Sequence, residues 1–178
     1  MAIRSERSDP IRVAVTNWER HGWLEAATPM GMVTSVMRVQ QILAADVDRV
    51  LKPFELSFAR FELLCLLAFS SRGTLPMGVV GERLQVHPAS VTNAADRLER
   101  NGLVSRSRDT TDRRKVIVGI TDAGRELVEA ATVRLNEYFV SIPLSHEQHS
   151  RLFAELRLLR SAHGDFESSP TMCVDHVC

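Results

Sequence analysis

Cysteine is scarce: three residues in 178, with Cys173 and Cys178 near the end and only Cys65 elsewhere. An odd set of this kind cannot form the disulfide framework of a small secreted fold. Net charge is absent as well, because 22 Lys plus Arg meet 22 Asp plus Glu. Any affinity for a polyanion must therefore come from a local patch and not from the field of the whole chain. No apolar run approaches the roughly 18 residues needed to span a bilayer. The opening Met1-Ala2-Ile3-Arg4-Ser5-Glu6 also lacks the apolar centre of a signal peptide. Neither Gly-x-Ser-x-Gly nor Gly-x-x-x-x-Gly-Lys-[Ser/Thr] occurs, so two widespread signatures of hydrolytic and nucleotide-binding chemistry are missing. The expectation is a cytoplasmic protein that is no enzyme, needs no cofactor or metal and has no membrane partner.

What the chain does contain is a globular share of apolar residues, 44%, at a length suited to one domain with short appendages. Ile11 to Trp23 reads as a short helical appendage ending near Gly22 and Pro29. From Val33 to Leu51 apolar residues recur at helical spacing until Pro53. Ser57 stands where a cap belongs for a second, nearly all-apolar run, Phe58 to Phe69. Met77 to Leu84 predicts a short helix and Gln85-Val86-His87 a tight turn. Pro88 then opens a helix that Gly102 stops.

Beyond Gly102 the period changes from helical to alternating. Leu103 to Arg108 and Lys115 to Ile120 predict two strands joined by the polar Asp109-Thr110-Thr111-Asp112-Arg113-Arg114. Thr121 and Asp122 offer a cap for a helix from Ala123 to about Val140. Ser145 with Gln148 forms a capping box for a last helix ending near Ala162. The Ser-rich segment from Gly164 to Cys178 has no period and is expected to be a flexible tail.

A tight turn between two helices, followed by a hairpin, is the order of a winged helix-turn-helix. In that arrangement the second helix enters the major groove, about 12 Å wide, and its first turns reach base edges. On a wheel, Val91, Ala94, Ala95 and Leu98 form the seat of the Pro88 helix, while Ala89, Asn93, Asp96 and Arg100 lie opposite, flanked by Ser90, Thr92 and Arg97. Small hydroxyl and amide groups can read bases without striking the groove floor, and an arginine can reach phosphate or guanine. Between Asp96 and Lys115 seven basic residues face four acidic ones. The local surplus thus lies where a wing would flank the groove, and arginines at its tip suit the minor groove. Asp112 is expected to hold a neighbouring arginine side chain through a charge-assisted bond.

Several runs resemble one known family. They are Leu75-Pro76-Met77-Gly78-Val79-Val80-Gly81-Glu82-Arg83-Leu84, His87-Pro88-Ala89-Ser90-Val91-Thr92-Asn93, Asp96-Arg97-Leu98-Glu99, Gly102-Leu103-Val104, Asp112-Arg113-Arg114 and Ile120-Thr121-Asp122-Ala123-Gly124. Together they are similar to the multiple-antibiotic-resistance regulator (MarR) family, over about Met32 to Ala162. The resemblance implies a winged-helix homodimer on pseudo-palindromic double-stranded DNA, usually a repressor released by a small-molecule effector or by oxidation. Carried over by position, Ser90, Thr92, Asn93 and Arg97 match the recognition helix, and Asp112 and Arg114 match the wing's Asp-x-Arg.

The expected fold is mainly α with a small β-hairpin wing: a winged helix-turn-helix with terminal dimerisation helices. Its parts are an appendage over 1–29, dimerisation helices over 30–56 and 122–163, a DNA-binding region over 57–121 and a tail over 164–178. Apolar stripes on the first long helix and the last two exceed what one small winged helix can cover, which favours a second copy. The DNA-binding residues expected are Pro88, Ala89, Ser90, Thr92, Asn93, Arg97, Arg108, Asp112, Arg113 and Arg114.

Other groups carry less. His146-Glu147-Gln148-His149 misses the His-Glu-x-x-His spacing by one residue and coincides with the capping box, so it reads as a helix start. Cys173 and His176 with Cys178 read as an inert terminus. Cys65 lies in the most apolar helix and reads as a small core residue, and Met30, Met32 and Met37 read as packing residues. The alternatives to a ligand-responsive DNA-binding regulator are a winged-helix protein-interaction module and a cysteine-based redox sensor.

Overall fold

The computed structural model describes residues 8–109 and 112–166. The chain divides after Arg49 into two compact units. In the first, α1 (Pro10–Arg20) begins at Asp9, whose carboxylate accepts the Ile11 N–H at 3.0 Å, with Pro10 in the first turn where its missing N–H costs nothing. Gly22 breaks the chain, and α2 runs from Leu24 to Leu51. The helix expected to start near Val33, after Pro29, thus starts nine residues earlier, and Pro29 lies inside it. A proline in the second turn forfeits one intrahelical hydrogen bond and leaves the rest of the helix in register, so it marks no boundary here. Trp18 meets Trp23 edge-on with ring centroids 5.3 Å apart. A Cβ added at Gly31 would meet Val15 at 2.6 Å, so a larger residue there would force the Val15 side chain of α1 to shift. Met32 and Met37, expected inside, are exposed.

The second unit begins with the last two residues of α2, Val50 and Leu51, and a 3-10 turn, Lys52–Phe54. Helix α3 (Phe58–Ala68) buries Phe61, Leu63, Leu64 and Leu67, which point to several sides and make it the axis of this core. Ser57 occupies its N-cap, but the Ser57 hydroxyl makes no capping bond and accepts Arg60 Nε at 3.2 Å instead. After α3 come β1 (Thr74–Pro76), α4 (Met77–Leu84), α5 (Pro88–Arg100), β2 (Val104–Arg108) and β3 (Val116–Ile120).

The strand β1 was not expected. It pairs antiparallel with β3, giving a three-stranded sheet in the order β1-β3-β2. Three residues carry too short an alternation to be legible alone, and only the β3 edge, a long way down the chain, makes Thr74–Pro76 a strand. Helix α5 ends in a Schellman turn: Leu103 N–H reaches the Leu98 carbonyl and Gly102 N–H the Glu99 carbonyl, both at 2.9 Å, with Gly102 at φ +71°.

Helix α6 (Asp122–Ser141) buries Val128, Ala131 and Leu135 against the core that α3 anchors. Helix α7 (His146–Ala162) starts with the expected capping box, Ser145 Oγ accepting Gln148 N–H and Gln148 Oε1 accepting Ser145 N–H. It buries no residue in the single chain. The first residues of the expected tail are held in place. Arg160 Nε pairs with Asp165 at 2.6 Å, the Asp165 carbonyl accepts Gln85 Nε2 at 2.8 Å, and Arg157 and Arg160 flank the Phe166 ring. Cys173, His176 and Cys178 lie outside the described residues. No helix among the described residues is long and apolar enough to cross a membrane.

Candidate nucleic-acid interface

Helix α5 presents two faces, as its sequence period requires. Val91, Ala95 and Leu98 are buried and Ala94 is half-buried, seating the helix against α3 and α4. Pro88, Ala89, Ser90, Thr92, Asn93 and Arg97 are exposed. The N-cap is His87, whose Nδ1 accepts the Ala89 N–H at 3.2 Å. Histidine is an uncommon cap, and only a neutral ring nitrogen can serve as the acceptor. Thr92 Oγ1 donates to the Pro88 carbonyl at 3.0 Å. The hydroxyl proton is therefore committed within the helix, and the oxygen that faces outward can accept a base amino group.

The wing is the β2–β3 hairpin. Its neck is closed by Asp109 N–H to the Lys115 carbonyl at 3.0 Å and Lys115 N–H to the Asp112 carbonyl at 2.8 Å. Arg108 is exposed at the end of β2 opposite Val116, and Arg113 and Arg114 are exposed in the turn. Asp112 departs from expectation. Its carboxylate accepts the main-chain N–H of Arg114 at 3.1 Å, and its own N–H donates to Asp109 Oδ1 at 2.9 Å. The contact is a side-chain-to-backbone turn that sets the path of the chain through Arg114, not a bond to an arginine side chain.

The charge arithmetic also changes in three dimensions. Arg106, one of the seven basic residues, reaches back from β2 to α5. Its Nε and Nη2 approach Glu99 Oε2 at 2.8 and 2.7 Å, and its Nη2 also pairs with Asp96. Hydrogen bonds to Asp96 first and Glu99 second hold the guanidinium still more firmly in its charged form. Arg100 faces outward as expected and is exposed, with its Nε donating to the Asp96 carbonyl of its own helix at 3.2 Å. The cations left on the exposed surface are Arg97 and Arg100 on α5 and Arg108, Arg113, Arg114 and Lys115 on the wing. A signal for the Arg106 contact existed in the alternation of β2, which places Arg106 on the same side as the buried Val104.

This geometry has known relatives. The MarR family profile matches residues 56–116, which run from just before α3 to the first residue of β3. The crystal structure of Sco5413, a MarR family transcriptional regulator from Streptomyces coelicolor, superposes with a TM-score of 0.71 at 49% identity, over 79% of this chain and 99% of that one. The chain belongs to the MarR family. A second family regulator from the same organism, Sco3205, solved in complex with DNA, matches this MarR-family chain at 26% identity and a TM-score of 0.69, over 77% of this chain and 87% of that one. Among curated relatives, the HTH-type transcriptional repressor MdtR of Bacillus subtilis is 28% identical over 57% of this chain, which spans 61% of that repressor's length. The relatives are transcriptional regulators, and the expected winged-helix fold with its wing is the fold observed.

In this MarR-family chain Cys65 is half-buried on α3, and burial pushes its thiol up from the ordinary cysteine value, with a hydrogen bond from Thr132 opposing and the Glu62 charge adding. A reactive sensor needs the opposite, a thiolate stabilised by a cationic neighbour.

Proposed function

We propose that the chain is a cytoplasmic, sequence-specific DNA-binding regulator that acts as a repressor. A homodimer would bind a pseudo-palindromic operator, and a small-molecule effector would modulate it. One observation carries the reading: the exposed polar side of α5, from Pro88 to Arg97, stands beside a wing whose turn exposes Arg113 and Arg114. Ser90, Thr92 and Asn93 are assigned to base edges. Arg97, Arg108, Arg113 and Arg114 are assigned to phosphates and the minor groove, Pro88 and Ala89 to close approach of the helix start, and Asp112 to the shape of the wing. Residues 57–121 are the DNA-binding region, and 30–56 with 122–163 supply dimerisation. Supporting the dimer, Leu152, Phe153, Leu156, Leu158 and Leu159 are exposed on α7, as are Val33, Val36, Met37 and Leu43 on α2. Apolar surface of that extent is normally covered, and a two-fold mate would set two recognition helices about 34 Å apart.

Selection of bound fragments from randomised duplex DNA tests the proposal. It predicts enrichment of an inverted repeat whose half-sites are about one helical turn apart. The same selection with Asn93→Ala should relax the preference at one position in each half-site. Recovery of no preferred sequence by the intact protein would refute the regulator reading.

A further inference from the structure

We infer that Arg106 is a positioning residue: from the wing strand it clamps Asp96 and Glu99 of α5, fixing the angle at which the recognition helix is presented. The inference rests on the DNA-binding reading above and assigns Arg106 a part in selectivity, not in phosphate contact.

Three observations meet at this side chain. Strand alternation puts Arg106 on the face of β2 that carries buried Val104, opposite Val118 in the register with β3, so the guanidinium is aimed at α5. Its side chain is 22% exposed, against 43% and 40% for Asp96 and Glu99, so the cation is the more enclosed partner and little of it is left for an outside anion. The two carboxylates sit three residues apart on one side of the helix, and a single planar group spanning both resists rolling of the helix about its axis more than one contact would. Asp96 and Glu99 are also negative charges on an element proposed to approach DNA. Electrostatics alone makes them a liability there, which a clamp explains and a phosphate-binding role for Arg106 does not.

Removing the carboxylate gives a test that separates the two readings by the ratio of operator to non-operator affinity. If Glu99 only repels phosphates, Glu99→Gln should tighten binding to every duplex alike. If it is one jaw of the clamp, Glu99→Gln should leave non-operator binding equal or tighter while the ratio of operator to non-operator affinity falls about tenfold. Arg106→Lys keeps the charge and loses the planar fork. It should reduce the same ratio while keeping the wild-type dependence of log affinity on log salt. In the Glu99→Gln background, Arg106→Lys should cost less than it does alone, since the two changes break one contact.

The clamp is overturned if Arg106→Gln lowers operator and non-operator affinity together and flattens the salt slope by about 0.9, the mark of a lost phosphate contact. It is equally overturned if both variants discriminate as well as wild type. Because Glu99→Gln and Arg106→Lys replace each side chain by one of similar length and Lys keeps the charge, circular dichroism should report folded protein throughout. Wild-type protein without operator preference would instead remove the regulator reading, and the clamp with it.

Discussion

The Thr121 hydroxyl donates to the Gly102 carbonyl at 2.8 Å and accepts the Gly124 N–H at 3.1 Å. One oxygen thus ties the end of the recognition helix to the start of α6. Main-chain bonding runs alongside it, with Thr121 N–H reaching the Leu103 carbonyl at 3.1 Å. Thr121→Val keeps the shape and loses both hydroxyl bonds. The expected cost is about 1–2 kcal/mol, seen as a thermal midpoint lower by roughly 2–8 °C in a domain of this size. An unchanged midpoint would show that the main-chain contact alone holds the junction.

Arg114 has its main chain set by Asp112 and its side chain exposed. Arg114→Ala should weaken operator binding, flatten the salt slope by about 0.9 and leave the molecular mass in solution unchanged. Binding as tight as wild type, titrated across salt in a fluorescence anisotropy assay, would remove the wing from the interface.

The exposed apolar residues of α7 predict an association equilibrium. A single chain weighs 19.9 kDa, and sedimentation should find twice that mass. Leu152→Glu with Leu156→Glu should shift the mass to that of one chain and abolish high-affinity operator binding. A wild-type protein that sediments as one chain contradicts the dimer.

Glu62 on α3 carries a carboxyl raised above the ordinary carboxylate range by burial. A raised acid favours the folded state most when protonated, so its contribution is full at pH below the unfolded value. It is lost as pH rises through the folded value. Glu62→Gln should therefore stabilise the protein at pH 7 and give no gain near pH 4, with a small effect because the group keeps part of its hydration. Equal thermal shifts at the two pH values would contradict this.

How much of this was legible beforehand varies by element. The α4 bounds Met77–Leu84, the Pro88 start and the Ser145 capping box match the sequence reading, since each is signalled by residues within one or two turns. The exposed side of α5 was legible for the same reason: a 3.6-residue period sorts Val91, Ala95 and Leu98 from Ser90, Thr92 and Asn93. Strand β1 and the passage of α2 through Pro29 were not legible, because a distant partner strand decides the first and the surrounding helical turns decide the second.

Local patterning alone determined the order of the helices and the wing hairpin, the family resemblance and which side of α5 faces outward, because propensities, caps and periods act over a few residues. Tertiary structure decided which charges are available. Arg106 and Arg114 are both arginines of the same hairpin region, yet one reaches across to Asp96 and Glu99 and the other stands exposed in the turn. That difference follows from strand alternation and the approach of β2 to α5, and an ion pair between residues on separate elements exists only once both elements are packed.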